Sequence, residues 1–139
     1  RGPPHSADFR DRESLGVVMI GVGVDVVDIE RFRRSLARTP SMRTRLFTDA
    51  ELDSLSGRVD DVPGLAARFA AREASMKALG LGLGAFGFHD VSVTKAESGA
   101  PSLLVVGRAF ELATEAGVER WHLSLSHGDS VAIAQVVAE

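Results

Sequence analysis

Between Pro63 and Gly80 the sequence encodes one long helix, and no other stretch constrains the fold as much. Leu65, Phe69, Met76 and Leu79, with alanines between them, recur at helical spacing and make one apolar stripe. Pro63 suits the first turn, where no intrahelical amide bond is forfeited, and Gly80 suits the left-handed position that ends a helix. Glu73 and Lys77 sit four residues apart on one flank, a spacing that contributes only about 0.3–0.5 kcal/mol on a solvated helix. Past the helix, Gly80, Gly82, Gly84 and Gly87 space out a loop whose amides can approach a phosphate closely, although glycine runs after helices are usually just loops.

A second acidic position raises the weight of Glu73. Val17 to Val27 is a β-branched run of strand length, interrupted by Gly21 and Gly23, which mark a bulge or a close backbone approach. Asp25 is the one acid inside it. A carboxylate in apolar surroundings needs a cation or hydrogen-bond donors, so Asp25 is either a metal ligand or an acceptor of backbone amides at a strand end.

The remaining elements follow from local signals. Residues 1–16 are polar and aperiodic, expected to form a disordered or non-core tail, so that 17–139 is a single domain. Asp28 can cap a helix with Ile29, Phe32 and Leu36 on one side and Arg31, Arg33, Arg34 and Arg38 elsewhere. Thr39-Pro40 breaks that helix, and Thr48 with Glu51 matches a capping box opening another through about Leu55. After the glycine loop, HDVSVTK and Ser102 to Val106 read as an antiparallel pair, Arg108 to Ala116 as a helix, and WHLSLS with SVAIAQVV as a hairpin. The expected order is strand, three helices, two strands, helix, two strands. That order indicates an α+β fold with a mainly antiparallel sheet packed with helices.

Composition bounds the function. With 139 residues and no cysteine, the chain can bury one core without disulfides, and thiolate metal sites and cysteine nucleophiles are excluded. A reducing cytoplasm is the expected compartment. No apolar run approaches the roughly 20 residues that span a bilayer, so no membrane partner is expected. A net charge of −3 gives no support to nucleic-acid binding, yet arginines crowd into Arg31 to Arg45, where they could meet an acidic partner.

The residues themselves lead to metal-assisted phosphate chemistry. Asp25 and Glu73 supply hard oxygen ligands of the kind magnesium takes while keeping waters, and Lys77 can offset phosphate charge. His122 and His127 are odd-spaced in one strand and so belong to opposite faces, with His127 the better site candidate. Ser126, His127 and Asp129 are too close in sequence for a hydrolase triad.

Taken in order, IGVGVDVVDIERF, ARFAAREASMKALGLGLG, ESGAPSLLV and WHLSLSHGDSVAIAQVV resemble the bacterial holo-acyl-carrier-protein synthases, the small class of 4′-phosphopantetheinyl transferases. The resemblance spans Met19 to Val137. It implies that 17–139 forms a phosphopantetheinyl transferase domain that moves phosphopantetheine from coenzyme A to a serine of apo acyl carrier protein, leaving adenosine 3′,5′-bisphosphate. It implies magnesium on Asp25 and Glu73, with Glu73 and Lys77 catalytic and Lys77 near the phosphates. Arg68, Gly80, Gly82, Gly84, Ser126 and His127 match regions that hold coenzyme A, and Arg31, Arg34 and Arg38 match the surface receiving the acidic carrier. It further implies a homotrimer with active sites between subunits, so that Asp25 and His127 need not come from one chain. Glu73 is the expected proton acceptor, with Asp25 or a bound water as the competing assignment. Two positions depart from the family pattern: Arg72 stands where lysine is common, and Gly128 intervenes between His127 and Asp129. Two other readings remain open: a noncatalytic module that binds carrier proteins, and a metal-dependent hydrolase of nucleoside diphosphates, which would leave the basic helix unexplained.

Overall fold

The computed structural model describes residues 18–82 and 84–139; the expectation for the tail at 1–16 lies outside them. Strand β1 (Gly21–Asp28) is followed by helices α1 (Ile29–Arg38), α2 (Met42–Leu46), α3 (Asp49–Leu55) and α4 (Val62–Ala78). A 3-10 turn (Phe88–Asp90) leads into β2 (Val91–Lys95) and β3 (Pro101–Val105), then α5 (Gly107–Ala116), β4 (Trp121–His127) and β5 (Val131–Ala138). Four helices follow β1 where three were expected. The additional one, MRTRL, spans five residues, too few for a helical period to register in sequence.

Both expected strand pairs form, in two sheets instead of one. β1 pairs antiparallel with β5, which pairs antiparallel with β4, while β2 and β3 form a separate antiparallel ribbon. Helix α4 lies across the three-stranded sheet. Its small residues make this possible: Ala70, Ala71, Ala74 and Ala78 are all buried, so the strand backbone can come unusually near. Gly21 and Gly23 complete the contact from the other side. A Cβ built on Gly21 would sit 1.8 Å from the Ala78 carbonyl oxygen, and one on Gly23 1.9 Å from that of Ala74. The register of β1 against β5 runs unbroken from Gly21 to Asp28, so the two glycines mark a close approach and not a bulge.

The long helix is held at both ends and along three sides. Pro63 occupies the first turn, and Gly80 takes the left-handed conformation at φ 70°, with its amide on the Lys77 carbonyl. One side meets the sheet through the alanines. Another meets Ile29, Phe32 and Leu36 of α1 with Phe47 and Leu55. A third packs Met76 against Phe86, Val91 and Ala109. Asp28 caps α1 by accepting the Arg31 amide at 2.9 Å, and Thr48 with Glu51 makes the expected capping box on α3.

Candidate active site

Strand pleating decides which residues meet α4. The register places Gly21, Gly23, Asp25 and Val27 on the helix-facing side of β1, beside buried Ala138, Val136, Ala134 and Ala132 of β5. Asp25 therefore reaches the helix two turns before its end. There it lines one cavity, of about 490 Å³, with Glu73, Arg31, Phe32 and Phe69. Lys77, one turn beyond Glu73, donates from Nζ to Asp25 Oδ1 at 3.0 Å and to the Val24 carbonyl at 3.0 Å. Two carboxylates and an ammonium from distant parts of the chain thus share one site.

The electrostatics of the pair follow from its surroundings. Burial pushes the Glu73 carboxyl above the ordinary glutamate value, the Asp25 charge adds to this, and Lys77 opposes it. Two facing carboxylates half out of water are a donor set that a hard dication relieves, and magnesium takes few protein oxygens while leaving coordination for waters and phosphates. Among the described residues, no group of three or more His, Cys, Asp or Glu side chains is assembled to hold a metal. Asp25 and Glu73 therefore fit an ion that completes its shell from a substrate.

The arginines sort into distinct roles. Arg33 is bound in bidentate fashion to Asp60 at 2.8 and 3.0 Å, and also contacts Glu30, so it is neutralised within the fold. Arg31, Arg34 and Arg38, spaced three and seven apart along α1, share one exposed face and make no ion pair among the described residues. That face adjoins the cavity through Arg31. Arg68, by contrast, points inward. It is 7% exposed, gives one Nη1 bond to the Gly64 carbonyl at 3.2 Å and leaves Nε without a partner. Burial holds its guanidinium below the ordinary arginine value, against the pull of Glu51 and with Arg58 and Arg72 adding to the shift.

Other expected site residues are not gathered here by a single chain. Gly80, Gly82 and Gly84 follow the helix end, with Gly84 also left-handed at φ 89°, and Cβ atoms added at these three would meet nothing within 4 Å. The loop is open. Ser126 pairs with Ile133, opposite Val26, and so lies on the sheet face turned away from α4; His127 is on the same face as Val27 and Asp25 but two strands over, roughly 10 Å at ordinary strand spacing. His122 lies on the outer face, where its Nε2 is 3.1 Å from Glu139.

Sequence reasoning missed one cluster. Arg72 is completely buried and meets Glu51, which is 1% exposed. The signal was present: Arg72 falls between Phe69 and Met76 on the apolar stripe, and a charge there demands a partner.

Comparison with known proteins decides the family. Residues 21–136 match the family described as the 4′-phosphopantetheinyl transferase superfamily. The chain belongs to it. Its curated relatives include a holo-[acyl-carrier-protein] synthase of Salinispora arenicola, 49% identical over 122 residues, covering 88% of this chain and 99% of the relative. The crystal structure of a holo-[acyl-carrier-protein] synthase from Neisseria meningitidis is similar at a TM-score of 0.80 and 31% identity, over 88% of this chain and 99% of that one. A Bacillus anthracis holo-(acyl-carrier-protein) synthase in complex with CoA (3′,5′-ADP) is similar at 0.71 and 30% identity, over 86% and 96%. The mixed fold of helices and antiparallel strands is that of these synthases, and the chain is an enzyme of their class.

Proposed function

We propose that this chain transfers 4′-phosphopantetheine from coenzyme A to a serine of an apo acyl carrier protein, with magnesium, releasing adenosine 3′,5′-bisphosphate. The observation that carries this reading is the one cavity lined by Asp25, Glu73 and Arg31, with Lys77 paired to Asp25: two carboxylates and an ammonium suited to phosphate chemistry, continuous with a basic helix suited to docking. The relatives are synthases of holo carrier protein, and one was solved with CoA.

Asp25 and Glu73 would hold magnesium, which when bound supplies charge neutralisation on the coenzyme A diphosphate. In this reading Glu73 accepts the serine proton as Oγ attacks the β-phosphorus, and its raised carboxyl value supports that role. The new bond is serine O–P, and the bond that breaks joins that phosphorus to the bridging oxygen, which leaves on adenosine bisphosphate. Lys77, its side chain 54% exposed, can leave Asp25 and offset the charge gathering on the leaving oxygen. In this reading Gly80, Gly82, Gly84 and buried Arg68 belong to the region that holds coenzyme A.

Assembly completes the site in this reading. The sheet face turned away from α4 exposes Val22, Val24, Val26 and Ile133, a row of apolar side chains that water would not favour. A homotrimer formed through this face would carry Ser126 of one copy, and with it the strand end at His127, toward the Asp25–Glu73 cavity of another. No described helix is long and apolar enough to cross a membrane, and a cytoplasmic setting accords with the proposed substrates.

Intact mass spectrometry of an apo carrier protein incubated with the chain, coenzyme A and magnesium tests the proposal. A metal-dependent gain of one phosphopantetheine is expected, and it should be nearly abolished by Glu73→Gln. No gain with any of several carriers would favour a carrier-binding module, and free phosphate products would favour the hydrolase.

A further inference from the structure

Arg72 is the most deeply buried charge among the described residues, and the chemistry proposed above gives it no task. Its guanidinium spends donors in three directions. Nη1 and Nη2 both bind Glu51, Nη1 also reaches the Arg68 carbonyl at 3.2 Å, and Nε donates to the Phe88 carbonyl at 2.7 Å. Its guanidinium lies over the Phe47 ring, with Cζ 5.1 Å from the centroid. Glu51 is itself fixed, accepting the Thr48 and Val93 amides at 3.0 and 2.9 Å.

These contacts bracket a row of rings. Phe47, Phe32, Phe69 and Phe88 stand in succession, with centroids 6.3, 5.4 and 6.3 Å apart. Arg72 touches the first by its ring face and the last by its backbone. The two middle rings, Phe32 and Phe69, form the apolar wall of the cavity that contains Asp25 and Glu73. Glu73 is the next residue on the same helical turn as Arg72.

We propose that Arg72 is a positioning residue: by gripping both ends of the phenylalanine row from the turn that carries Glu73, it sets the gap between the cavity's aromatic wall and its carboxylates. The gap is what coenzyme A must enter, a choice of ligand that rests on the transferase reading. A lysine could reach Glu51 as a point charge, but it lacks the planar fork that binds Glu51 and the Phe88 carbonyl together from above the Phe47 ring.

A purely structural role makes a different prediction, so Arg72→Lys is compared with a control of similar stability loss away from the cavity, Val136→Ala in the buried face of β5. Calorimetric titration with coenzyme A and magnesium, below both melting temperatures, should show affinity about tenfold or more weaker in Arg72→Lys, the scale on which supporting partners act, and unchanged in the control. Hydrogen exchange of the Asp90 amide, which donates to Gly87 beside the Phe88 anchor, should accelerate only in Arg72→Lys. Equal coenzyme A affinity in Arg72→Lys and the wild type, or unchanged Asp90 exchange, would overturn the proposal. Should Arg72→Lys not fold, the wild-type Arg72 Nε–H resonance decides: it should exchange slowly and shift when coenzyme A saturates the cavity, and an unmoved resonance overturns the idea. Failure of the wild type to modify a carrier would count against the transferase reading alone, since Asp90 exchange needs neither carrier nor coenzyme A.

Discussion

Lys77 Nζ lies 3.0 Å from Asp25 Oδ1, closing a contact between residues 52 positions apart in the chain. The pair is half open to water on the lysine side, so its contribution to stability is small, about 0–1 kcal/mol. In the transferase reading its value lies in holding an ammonium beside the carboxylates that would bind the metal. Lys77→Met is expected to leave the melting temperature within a few degrees of wild type while lowering turnover about a hundredfold. Thermal melts and carrier modification followed by mass spectrometry check both halves.

The approach of β1 to α4 leaves no room for a methyl group. Gly23→Ala would set a Cβ 1.9 Å from the Ala74 carbonyl oxygen and 2.8 Å from the Ala78 amide nitrogen. Both are backbone atoms, so strand and helix must separate. A loss of about 3 kcal/mol is expected, the upper end for overpacking, with activity falling as Asp25 is drawn from Glu73. Denaturant unfolding measures the first and the carrier assay the second.

Charge reversal on α1 should separate docking from chemistry. Arg34→Glu with Arg38→Glu changes the exposed face without touching the cavity, whereas Arg33 is already committed to Asp60. The KM for carrier protein is expected to rise about tenfold or more at low salt, with the difference shrinking as salt screens the contact. The KM for coenzyme A should hold. Initial-rate kinetics at two ionic strengths are sufficient.

Acid should loosen the protein through Glu51. Burial raises its carboxyl, but hydrogen bonds and charge from Arg72, with the Val93 and Thr48 amides, overcome this and hold it below the ordinary glutamate value. A carboxyl depressed in the folded state contributes stability that is fully present above its unfolded value of 4.5 and is lost as pH falls through its lower folded value. Melting temperature should therefore decline with acidification below about pH 4.5, through this group among others. Glu51→Gln should show a shallower acid slope and lower stability at neutral pH, because Arg72 is then buried without its counter-charge, at a cost of about 3–5 kcal/mol. Melts from pH 3 to 7 check the sign.

Most of the local structure was legible in the order of residues. Pro63 and Gly80 bounded the long helix, Thr48 and Glu51 marked the start of another, and alternating residues set both strand pairs, because caps, turns and periodicities are properties of neighbours in the chain. Asp25 and Glu73 stood out as acids in apolar settings, and the ordered motifs led to the family that the comparisons show. Which charges meet depended on how the elements pack. That packing bound Arg33 to Asp60 and left Arg31, Arg34 and Arg38 exposed; it turned Arg68 inward, and it paired Arg72 with Glu51 at a separation of 21 residues. It also put Ser126 on the face away from Asp25. Ion pairs and buried partners depend on how whole elements pack, through angles and distances that no local pattern encodes, whereas the cost of leaving a charge unpaired is what makes each choice definite.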